Sequence, residues 1–485
     1  MTGIARVWGV RGGLAFLAAG MVLAVVPAGP GAAVAAVRPA AAGWGTAEEI
    51  PGTATLNQGN ANVDHALSCA SAGNCTVGAF YTDANGHYQA FADTETAGTW
   101  GTAQELPGVA TLNKGNAEMY TVSCGSAGNC SAGGYYTDAN RHEQAFVARE
   151  TGGTWAAGKE VPGTAKLNVD GDAELASVSC PAANACSGGG GYIDSSDAEQ
   201  GYVDSETSGT WGTAKEVPGL AALNTGGGAE VQFVSCVSAG NCTAGGSYST
   251  SSGDEEPFVV TETGGTWGNA EEVPGIGTLN DQQGPMAGLS CASAGNCTAV
   301  GTYTDSAGDS QAWLASEVNG TWRAAKEVPG TATLNTDGFA EADAVSCASA
   351  GNCTAGGWYT GTSIQAFVIT ETAGVWGTAK AVPGLAALNT NGYAQLWTVS
   401  CAAAGDCSAG GFYWNDSEGG QEAFVVTQTN GTWGDAKEVP GTETLNVNGG
   451  GVTADISCST AAHCAAAGLY GDSSAHLQAF VDTQT

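Results

Sequence analysis

One unit of about 55 residues is repeated eight times in this chain of 485 residues. Each copy carries a tryptophan that is followed by Pro-Gly, by Leu-Asn and by two cysteines with five residues between them. The tryptophans are Trp44, Trp100, Trp155, Trp211, Trp267, Trp322, Trp376 and Trp433. Because a unit of this size cannot bury a core alone, the repetition predicts an architecture in which neighbouring units pack against one another.

Alternating apolar residues and turn residues divide each copy into four short strands. In the second copy the strands are predicted at residues 120–124, 130–136, 144–149 and 154–161. No segment shows a capped helical period, and 76 glycines disfavour long helices. Eight four-stranded units predict an all-β fold, an eight-bladed β-propeller.

The two ends of the repeat array predict a closed ring. The array opens with an isolated fourth strand at residues 43–46 and closes after a third strand at residues 478–481. We therefore expect the N-terminal strand to complete the last blade. The alternative, an open stack of repeats, would need polar capping units at its ends.

Sixteen cysteines form eight pairs with one spacing. In an exported chain such pairs predict disulfides that each clamp a hairpin. A zinc site would need closer cysteine spacing and further ligands. The predicted pairs are Cys69/Cys75, Cys124/Cys130, Cys180/Cys186, Cys236/Cys242, Cys291/Cys297, Cys347/Cys353, Cys401/Cys407 and Cys458/Cys464.

The N-terminal region has the features of a secretory signal. Arg6 and Arg11 precede an apolar stretch at residues 12–26 and a run of small residues at 33–36. The apolar stretch is shorter than the roughly 20 residues that a membrane-spanning helix needs. We predict a signal peptide at residues 1–36, a single propeller domain at residues 37–485 and an extracellular, secreted product without membrane insertion.

A hairpin before each repeat tryptophan resembles the Asp-box hairpin of sialidase-like and other exported bacterial propellers. Residues 150–155 and 262–267 both read Glu-Thr-Gly-Gly-Thr-Trp. The acid is Glu or Gln here, as at Gln428, and the leading Ser is absent. In that family the hairpin joins the third and fourth strands of a blade and serves folding, so the resemblance implies the propeller fold and no catalytic residue.

The net charge of the chain limits the classes of partner that it can bind. The chain has 47 acidic and 13 basic residues, a net charge of −34. Phosphate backbones and anionic lipid should be repelled, so we expect no nucleic-acid binding, and the acidity itself favours a soluble monomer. A sialidase-type arginine cluster is not expected, since Arg141, Arg149 and Arg323 are too few and too scattered.

Four glutamates occupy one equivalent position just before the strand that should line the channel. They are Glu118, Glu174, Glu230 and Glu341. A ring of acids at a channel mouth could hold a cation, act as the two carboxylates of a glycosidase, or simply face water.

A second acidic set lies between the second and third strands, six residues before a glutamine. Its members are Asp83, Asp138, Asp194, Asp305 and Asp472. We expect each aspartate to stabilise its own turn, and a calcium loop is the alternative. Leu-Asn is expected to anchor the crossover between blades, with Leu in the core and Asn bonded to loop backbone.

One position varies among the copies, four residues before the first cysteine of each pair. It holds His65, Tyr120, Ala176, Gln232, Ala287, Asp343, Trp397 and Ala454. Aromatic side chains beside amides and carboxylates suit sugar or peptide recognition, and inter-blade packing is the alternative reading. Trp358 and Trp414, two further tryptophans near the ends of second strands, are secondary candidates of the same kind.

These observations favour a secreted, non-catalytic binding module without a cofactor, with calcium left open. The favoured ligand class is a carbohydrate or a cell-surface polymer, and the expected partner is a carbohydrate or a protein surface ligand. The candidate ligand-binding residues are His65, Tyr120, Gln232, Asp343, Trp397, Glu118, Glu174, Glu230 and Glu341. A glycoside hydrolase or lyase that uses the glutamates, and a structural envelope protein, are the alternatives.

Overall fold

The chain forms an eight-bladed β-propeller, as the repeats predict. The computed structural model describes residues 43–63, 65–169, 171–279, 284–416 and 420–484. Each blade is an antiparallel sheet whose strands follow one another in sequence order, except that the N-terminal strand forms the outer edge of blade 8. The predicted signal segment lies outside the described residues.

The first three strands of each blade are long. The first strands of blades 1 to 8 are Ala61–Asn62 with Leu67–Ser71, Ala117–Ser126, Ser177–Ala182, Ala229–Ser238, Met286–Ser293, Ala340–Ser349, Ala394–Ala403 and Val452–Thr460. The second strands are Asn74–Thr82, Asn129–Thr137, Ala185–Ile193, Asn241–Ser249, Asn296–Thr304, Asn352–Thr360, Asp406–Asn415 and His463–Gly471. The third strands are Tyr88–Thr96, Glu143–Thr151, Glu199–Thr207, Glu255–Thr263, Ser310–Val318, Ile364–Thr372, Gly420–Thr429 and Leu477–Thr483.

The fourth strand is broken into two short pieces, whereas one strand is predicted from the sequence. Its first pieces in blades 1 to 7 are Thr99–Trp100, Thr154–Trp155, Thr210–Trp211, Thr266–Trp267, Thr321–Trp322, Val375–Trp376 and Thr432–Trp433. The second pieces are Gln104–Glu105, Lys159–Glu160, Lys215–Glu216, Glu271–Glu272, Lys326–Glu327, Lys380–Ala381, Lys437–Glu438 and, in blade 8, Glu48–Glu49. Between the pieces the backbone leaves the sheet, and one N–H donates to a proline carbonyl of the preceding blade, as from Gly158 to Pro107 at 2.7 Å.

A one-turn helix follows each Pro-Gly and leads to the next blade. The helices are Thr53–Leu56, Val109–Leu112, Thr164–Leu167, Leu220–Leu223, Ile276–Leu279, Thr331–Leu334, Leu385–Leu388 and Thr442–Leu445. The glycine before the helix has a positive φ, 82° at Gly108, which an L side chain rarely adopts. None of the helices in the described part of the chain has the length and apolar character needed to cross a bilayer.

The ring is closed by the N-terminal strand, as predicted. Glu48 pairs with Val481, Glu49 pairs with Phe480, and Trp44 forms a bridge to Gln484. The first strands are innermost, because each contacts the first strands of the two neighbouring blades, including blade 1 against blade 8.

Each apolar core lies between two blades. One core, for example, combines Val300 and Leu314 of blade 5 with Ala342, Phe367 and Trp376 of blade 6. A blade alone would therefore leave both faces of its sheet exposed, which is why the repeats need one another.

All eight predicted disulfides are present, each joining the ends of a first and second strand. The paired Cα atoms lie 3.9 Å apart in blade 1 and 4.0 Å apart in blade 8. Such bridges fit an oxidising compartment.

The disulfides clamp their own hairpins, as predicted, and they also take part in the packing between blades. The second cysteine of every pair is buried, with only 3 to 5% of its surface exposed. These buried cysteines are Cys75, Cys130, Cys186, Cys242, Cys297, Cys353, Cys407 and Cys464. They begin second strands whose faces are covered by neighbouring blades, so they belong to the packing of the ring and are not surface groups that a ligand could reach.

Hydroxyl groups of the preceding blade contact several of the buried sulfur atoms. The hydroxyl-to-sulfur distances are 3.4 Å from Thr76 to Cys130, 3.5 Å from Ser131 to Cys186, 3.4 Å from Thr354 to Cys407 and 3.5 Å from Ser408 to Cys464. The hydroxyl is the donor, because a disulfide sulfur carries no hydrogen. At the closing seam Cys75 instead packs in an apolar core that includes Ala465 of blade 8. Each of these disulfides therefore also joins two blades.

The serine before each first cysteine forms a second ring that the sequence analysis missed. In every blade its hydroxyl accepts a hydrogen bond from the backbone N–H of the first cysteine of the next blade, at 2.9 to 3.0 Å. Ser457 of blade 8 accepts from Cys69 of blade 1 at 2.9 Å, so the eight bonds run around the whole ring. The Ser-Cys dipeptide, present in all eight copies, was the available signal.

The Asp-box-like hairpins lie between the third and fourth strands, where the resemblance places them. Glu150 pairs with Trp155 across the turn. The acid is buried and accepts a hydrogen bond from a third-strand hydroxyl of the preceding blade, as Glu150 does from Thr94 at 3.1 Å and Glu262 from Ser205 at 2.7 Å. Thr483 donates in the same way to Glu95 at 3.3 Å across the seam. The hairpin acids thus hold blades together.

Candidate functional site

The sequence-predicted ligand-binding residues lie on the innermost strands, toward the end of the channel where these strands begin. The one-turn helices and the turns between second and third strands lie at the same end. We call this end the helix-side mouth. The disulfides lie toward the opposite end of the first strands, so their cysteines are structural and take no part in this site.

The four glutamates occupy equivalent, half-buried positions near the start of the first strand, or just before it in blade 3. Their neighbours differ. Glu118 accepts a 2.7 Å hydrogen bond from the hydroxyl of Tyr135, whereas Glu230 lies opposite Ser247 and Glu341 opposite Trp358. After burial, the carboxylates of Glu118 and Glu174 raise the pKa of Tyr135, and those of Glu174 and Glu230 raise the pKa of Tyr202. The glutamates of blades 2, 3 and 4 are therefore linked through the tyrosines between them.

The variable position is a β-bulge. The register between first and second strands skips one residue at this position, which is Tyr120, Gln232, Asp343 or Trp397 in blades 2, 4, 6 and 7. Because a bulged residue is not held by the ladder, its side chain can vary without loss of pairing. This is the physical reason why the copies differ here.

A glycine on the second strand makes the bulge possible. A Cβ at Gly134 would lie 1.9 Å from the carbonyl oxygen of Glu118, and one at Gly357 would lie 2.0 Å from that of Glu341. Glycine occupies this position in seven blades, and Ala79 replaces it in blade 1. In blade 1 the first strand is interrupted between Asn62 and Leu67.

His65 lies in that interruption, exposed and with a positive φ of 45°. Its charge acts on Asp455 of blade 8. Asp455 also accepts hydrogen bonds from the Leu67 backbone at 3.0 Å and from the Thr398 hydroxyl at 3.2 Å, so it links blades 7, 8 and 1. Burial raises the pKa of Asp455, and His65 and these hydrogen bonds oppose the rise. His65 therefore belongs to the closing seam of the ring.

Aromatic side chains concentrate in blades 6 and 7 at the helix-side mouth. We call this group the blade 6–7 patch, and it consists of Phe339, Trp358, Tyr393, Trp397, Phe412 and Trp414 with the polar residues Glu341, Asp343 and Gln395. Asp343, Trp397 and Glu341 are among the ligand-binding candidates drawn from the sequence, and Trp358 and Trp414 are the two secondary candidates.

Ring contacts join aromatic residues of the patch within blade 6 and within blade 7. Phe339 stacks on Trp358, with ring centroids 4.8 Å apart and an interplanar angle of 16°. Tyr393 and Trp397 contact Phe412 at centroid distances of 5.5 and 5.2 Å. The Trp397 indole donates a 3.1 Å hydrogen bond to Gln395, which fixes the orientation of the ring.

Part of the patch is open to solvent. Phe339 and Trp414 are both 37% exposed, which is unusual for such large apolar side chains. Among the described residues, Val169 and Val447 are two further exposed apolar side chains, and both lie in connections that lead to first strands. Of the five large apolar side chains that are exposed in the described part of the chain, four thus lie at the helix-side mouth, and the fifth, Val375, lies in a hairpin between third and fourth strands.

The electrostatics of the patch come from two carboxyl groups. Burial raises the pKa of Asp343 well above its ordinary value, and the nearby Glu341 carboxylate raises it further. Burial also raises the pKa of Glu341, against a hydrogen bond from Trp358. Glu341 in turn contributes to the raised pKa of Tyr393, after burial. The charge of Glu341 therefore acts on both the Asp343 carboxyl group of blade 6 and the Tyr393 hydroxyl group of blade 7.

No basic side chain is available in the sequence around the patch. Between Lys326 and Lys437 the only basic residue is Lys380, which lies on the outer strand of blade 6. Within the described residues, the Oδ2 atom of Asp343 is buried and has no hydrogen-bond partner.

The aspartate turns have the structural role that was expected. Asp83 accepts hydrogen bonds from the backbone of Asn85 and His87 and from the side chain of Gln89. Gln89 accepts from Asn113 of Leu-Asn at 3.0 Å, so three sequence motifs form one hydrogen-bonded chain. In the described ranges, no three His, Cys, Asp or Glu side chains are placed to hold a metal ion together.

A groove of about 590 Å³ lies elsewhere, between blades 4 and 5 near the disulfides. Its lining includes Glu262, Glu317 and Trp322. Glu262 already bonds Ser187 and Ser205 of blade 3, so this groove is part of the inter-blade packing.

No protein-family model and no curated protein matches the chain. Solved structures similar to it include the Hadza microbial sialidase Hz136, with 10% identity over 69% of this chain and 68% of that chain and a TM-score of 0.38. A subtype N11 neuraminidase-like protein of A/flat-faced bat/Peru/033/2010 (H18N11) has 12% identity over 92% and 94%, with a TM-score of 0.38. Chaetomium thermophilum Sqt1, bound to the N-terminus of ribosomal protein L10, has 8% identity over 88% and 96%, with a TM-score of 0.48. The similarity is one of fold.

Proposed function

We propose that this protein is a secreted, monomeric binding module that holds a carbohydrate or cell-surface polymer at the blade 6–7 patch. The observation that carries the proposal is the exposed stack of Phe339 on Trp358 beside the polar groups of Glu341, Asp343 and Gln395. Flat aromatic faces pack against the apolar faces of sugar rings, and neighbouring carboxylates and amides bond the hydroxyl groups.

Export is supported by two independent features. The segment at residues 1–36 has the composition of a signal peptide. The eight disulfides would not persist in a reducing cytoplasm. A ligand on the cell surface or outside the cell is therefore the proposed target.

The test is binding of the purified, oxidised protein to a panel of soluble glycans and cell-wall polymers. Phe339→Ala and Trp414→Ala are expected to weaken binding about tenfold each, since each removes an exposed ring worth roughly 1–2 kcal/mol. Val375→Ala is the matched control, because Val375 is 70% exposed in a hairpin between third and fourth strands, away from the patch. Equal binding by all three variants contradicts the proposed site.

Two further outcomes separate the alternatives. Retention on washed cell wall that no soluble glycan competes away supports a structural envelope role instead. Binding is expected to be the same with calcium and with EDTA, and a loss in EDTA would require a metal that the patch does not itself explain.

The paired acids make glycoside hydrolysis a second candidate. Glu341 and Asp343 both have raised pKa values, as a general acid requires. Reducing sugar released from a bound glycan, and lost in both Glu341→Gln and Asp343→Asn, would support a hydrolase. Absence of turnover on every bound glycan would reject it and leave the binding proposal intact.

A further inference from the structure

The charged residues of the patch are both acidic, and this limits the chemical class of ligand that the patch can bind. Glu341 and Asp343 are both half-buried among aromatic rings, and the acidic pair has no basic neighbour on the first strands of blades 6 and 7. The Asp343 Oδ2 atom is buried without a hydrogen-bond partner among the described residues. A carboxylate removed from water is costly unless a cation or several hydrogen bonds compensate it.

The aromatic rings next to these acids also attract a positively charged group. A cation is attracted to the face of Trp, Tyr or Phe within about 6 Å of the ring centroid. Tyr393 lies close enough to Glu341 for the carboxylate to affect its pKa, and Trp358 donates a hydrogen bond to Glu341. A positively charged group beside Glu341 would therefore meet both a carboxylate and aromatic faces.

We propose that the blade 6–7 patch selects glycans that carry protonated amino groups, such as polymers of unacetylated amino sugars. The proposal rests on the carbohydrate-binding function and names its ligand class. The sugar rings lie on Phe339 and Trp414, and an ammonium group is paired with Glu341 and Asp343. Neutral and acidic glycans lack the group that compensates the two carboxylates, and acidic ones are repelled by the net charge of −34.

The experiment compares glucosamine oligomers with N-acetylglucosamine oligomers of the same length by isothermal titration calorimetry. It is done near neutral pH, because mild acid would neutralise the carboxyl groups of Glu341 and Asp343, whose pKa values are raised, whereas an amine that binds beside them stays protonated. The amino form is expected to bind at least about tenfold more tightly, with a preference that shrinks as salt is added. The double variant Glu341→Gln/Asp343→Asn is expected to lose this preference while it still binds the acetylated form through the aromatic rings.

The matched control removes two charges away from the patch. Glu271→Gln/Asp435→Asn changes two exposed acids of the outer regions of blades 4 and 7, and it should keep the full preference. A uniform loss in this control would mean that net charge, not the patch, attracts the amine. Thermal unfolding of each variant confirms that it is folded.

The outcomes separate the inference from the function on which it rests. Equal binding of amino and acetylated oligomers overturns the inference and leaves carbohydrate binding standing. Binding of a lysine-rich peptide but of no glycan overturns both and identifies a peptide site. Binding of neither oligomer, with retention of another glycan, overturns the inference alone.

Discussion

Gly357→Ala should weaken ligand binding by about tenfold or more although Gly357 does not belong to the patch. A Cβ at this position would lie 2.0 Å from the carbonyl oxygen of Glu341 and 2.9 Å from the Cα of Ala342. Carbon and oxygen ordinarily approach to about 3.3 Å, so the first strand must move by roughly 1.3 Å. The bulge that presents Asp343 cannot survive this movement.

The expected cost follows from the ladder bonds beside the bulge. Loss of two to three backbone hydrogen bonds costs about 2–3 kcal/mol, which for a domain of this size lowers the melting temperature by about 2–3 °C. Binding to the amino-sugar oligomer should fall by about tenfold or more, because Glu341 and Asp343 are displaced together.

A matched variant separates stability from binding. Gly246→Ala creates the same clash in blade 4, with a Cβ 2.0 Å from the Glu230 carbonyl oxygen, far from the aromatic residues in sequence. Calorimetric melting and ligand titration of both variants are the assays. Both should lose stability, and only Gly357→Ala should lose binding. The reasoning is refuted if Gly357→Ala binds normally, or if Gly246→Ala loses binding to the same extent.

Three further predictions concern the closure and the pH dependence of the ring. Ser457→Ala leaves the Cys69 N–H without its acceptor and should lower the free energy of unfolding, measured with denaturant, by about 1 kcal/mol. Ser290→Ala elsewhere in the ring should have an effect of the same size. An effect of Ser290→Ala with none of Ser457→Ala would mean that the seam is open. Deletion of residues 43–50 removes the edge of blade 8 and should lower the melting temperature by about 5–10 °C and cause self-association on size exclusion, whereas an unchanged monomer would argue against closure. Burial raises the pKa of Asp204 and Asp482 to about 7. As the pH falls through 7, the folded state therefore takes up protons that the unfolded state does not. The free energy of unfolding should rise by up to about 3 kcal/mol per group between about pH 8 and pH 5. Replacement of both by Asn should flatten a plot of melting temperature against pH, and an unaltered slope would show that these carboxyl groups are not the cause.

The architecture could be predicted from the sequence because its signals are local and repeated. A tight Cys-x5-Cys hairpin, an aspartate turn such as that at Asp83 and a Leu-Asn step each act over a few residues. Eight copies make every signal visible, and the position of the first tryptophan-bearing strand shows how the ring closes.

Contacts between blades could not be read in the same way. In each of these contacts the two partners are about 55 residues apart in the sequence. The contacts are the serine hydrogen bonds, the hydroxyl beside the Cys130 sulfur, the Pro107 carbonyl at the break in the next fourth strand, and the hydroxyl that donates to Glu150. The recurring dipeptides Ser-Cys and Pro-Gly can be seen in the sequence. The groups that they contact in the neighbouring blade cannot be identified there.

The patch was found only in part for the same reason. Asp343 and Trp397 stand out as changes at a repeated position, and Glu341 as one of four equivalent glutamates. Phe339 and Tyr393 immediately precede first strands, where most of the other copies have Asn, Asp or Gly. The aromatic residues there were an available signal. Their convergence with Phe412 and Trp358 depends on how two neighbouring blades pack.

Hydrogen–deuterium exchange with and without a saturating glucosamine oligomer tests the central claim most directly. The account predicts protection in peptides that contain residues 337–343 and 391–398, at the helix-side mouth of blades 6 and 7. Equivalent peptides of blades 3 and 4 should be unchanged. Protection confined to the disulfide hairpins at the opposite mouth, or spread evenly over all eight blades, would contradict it.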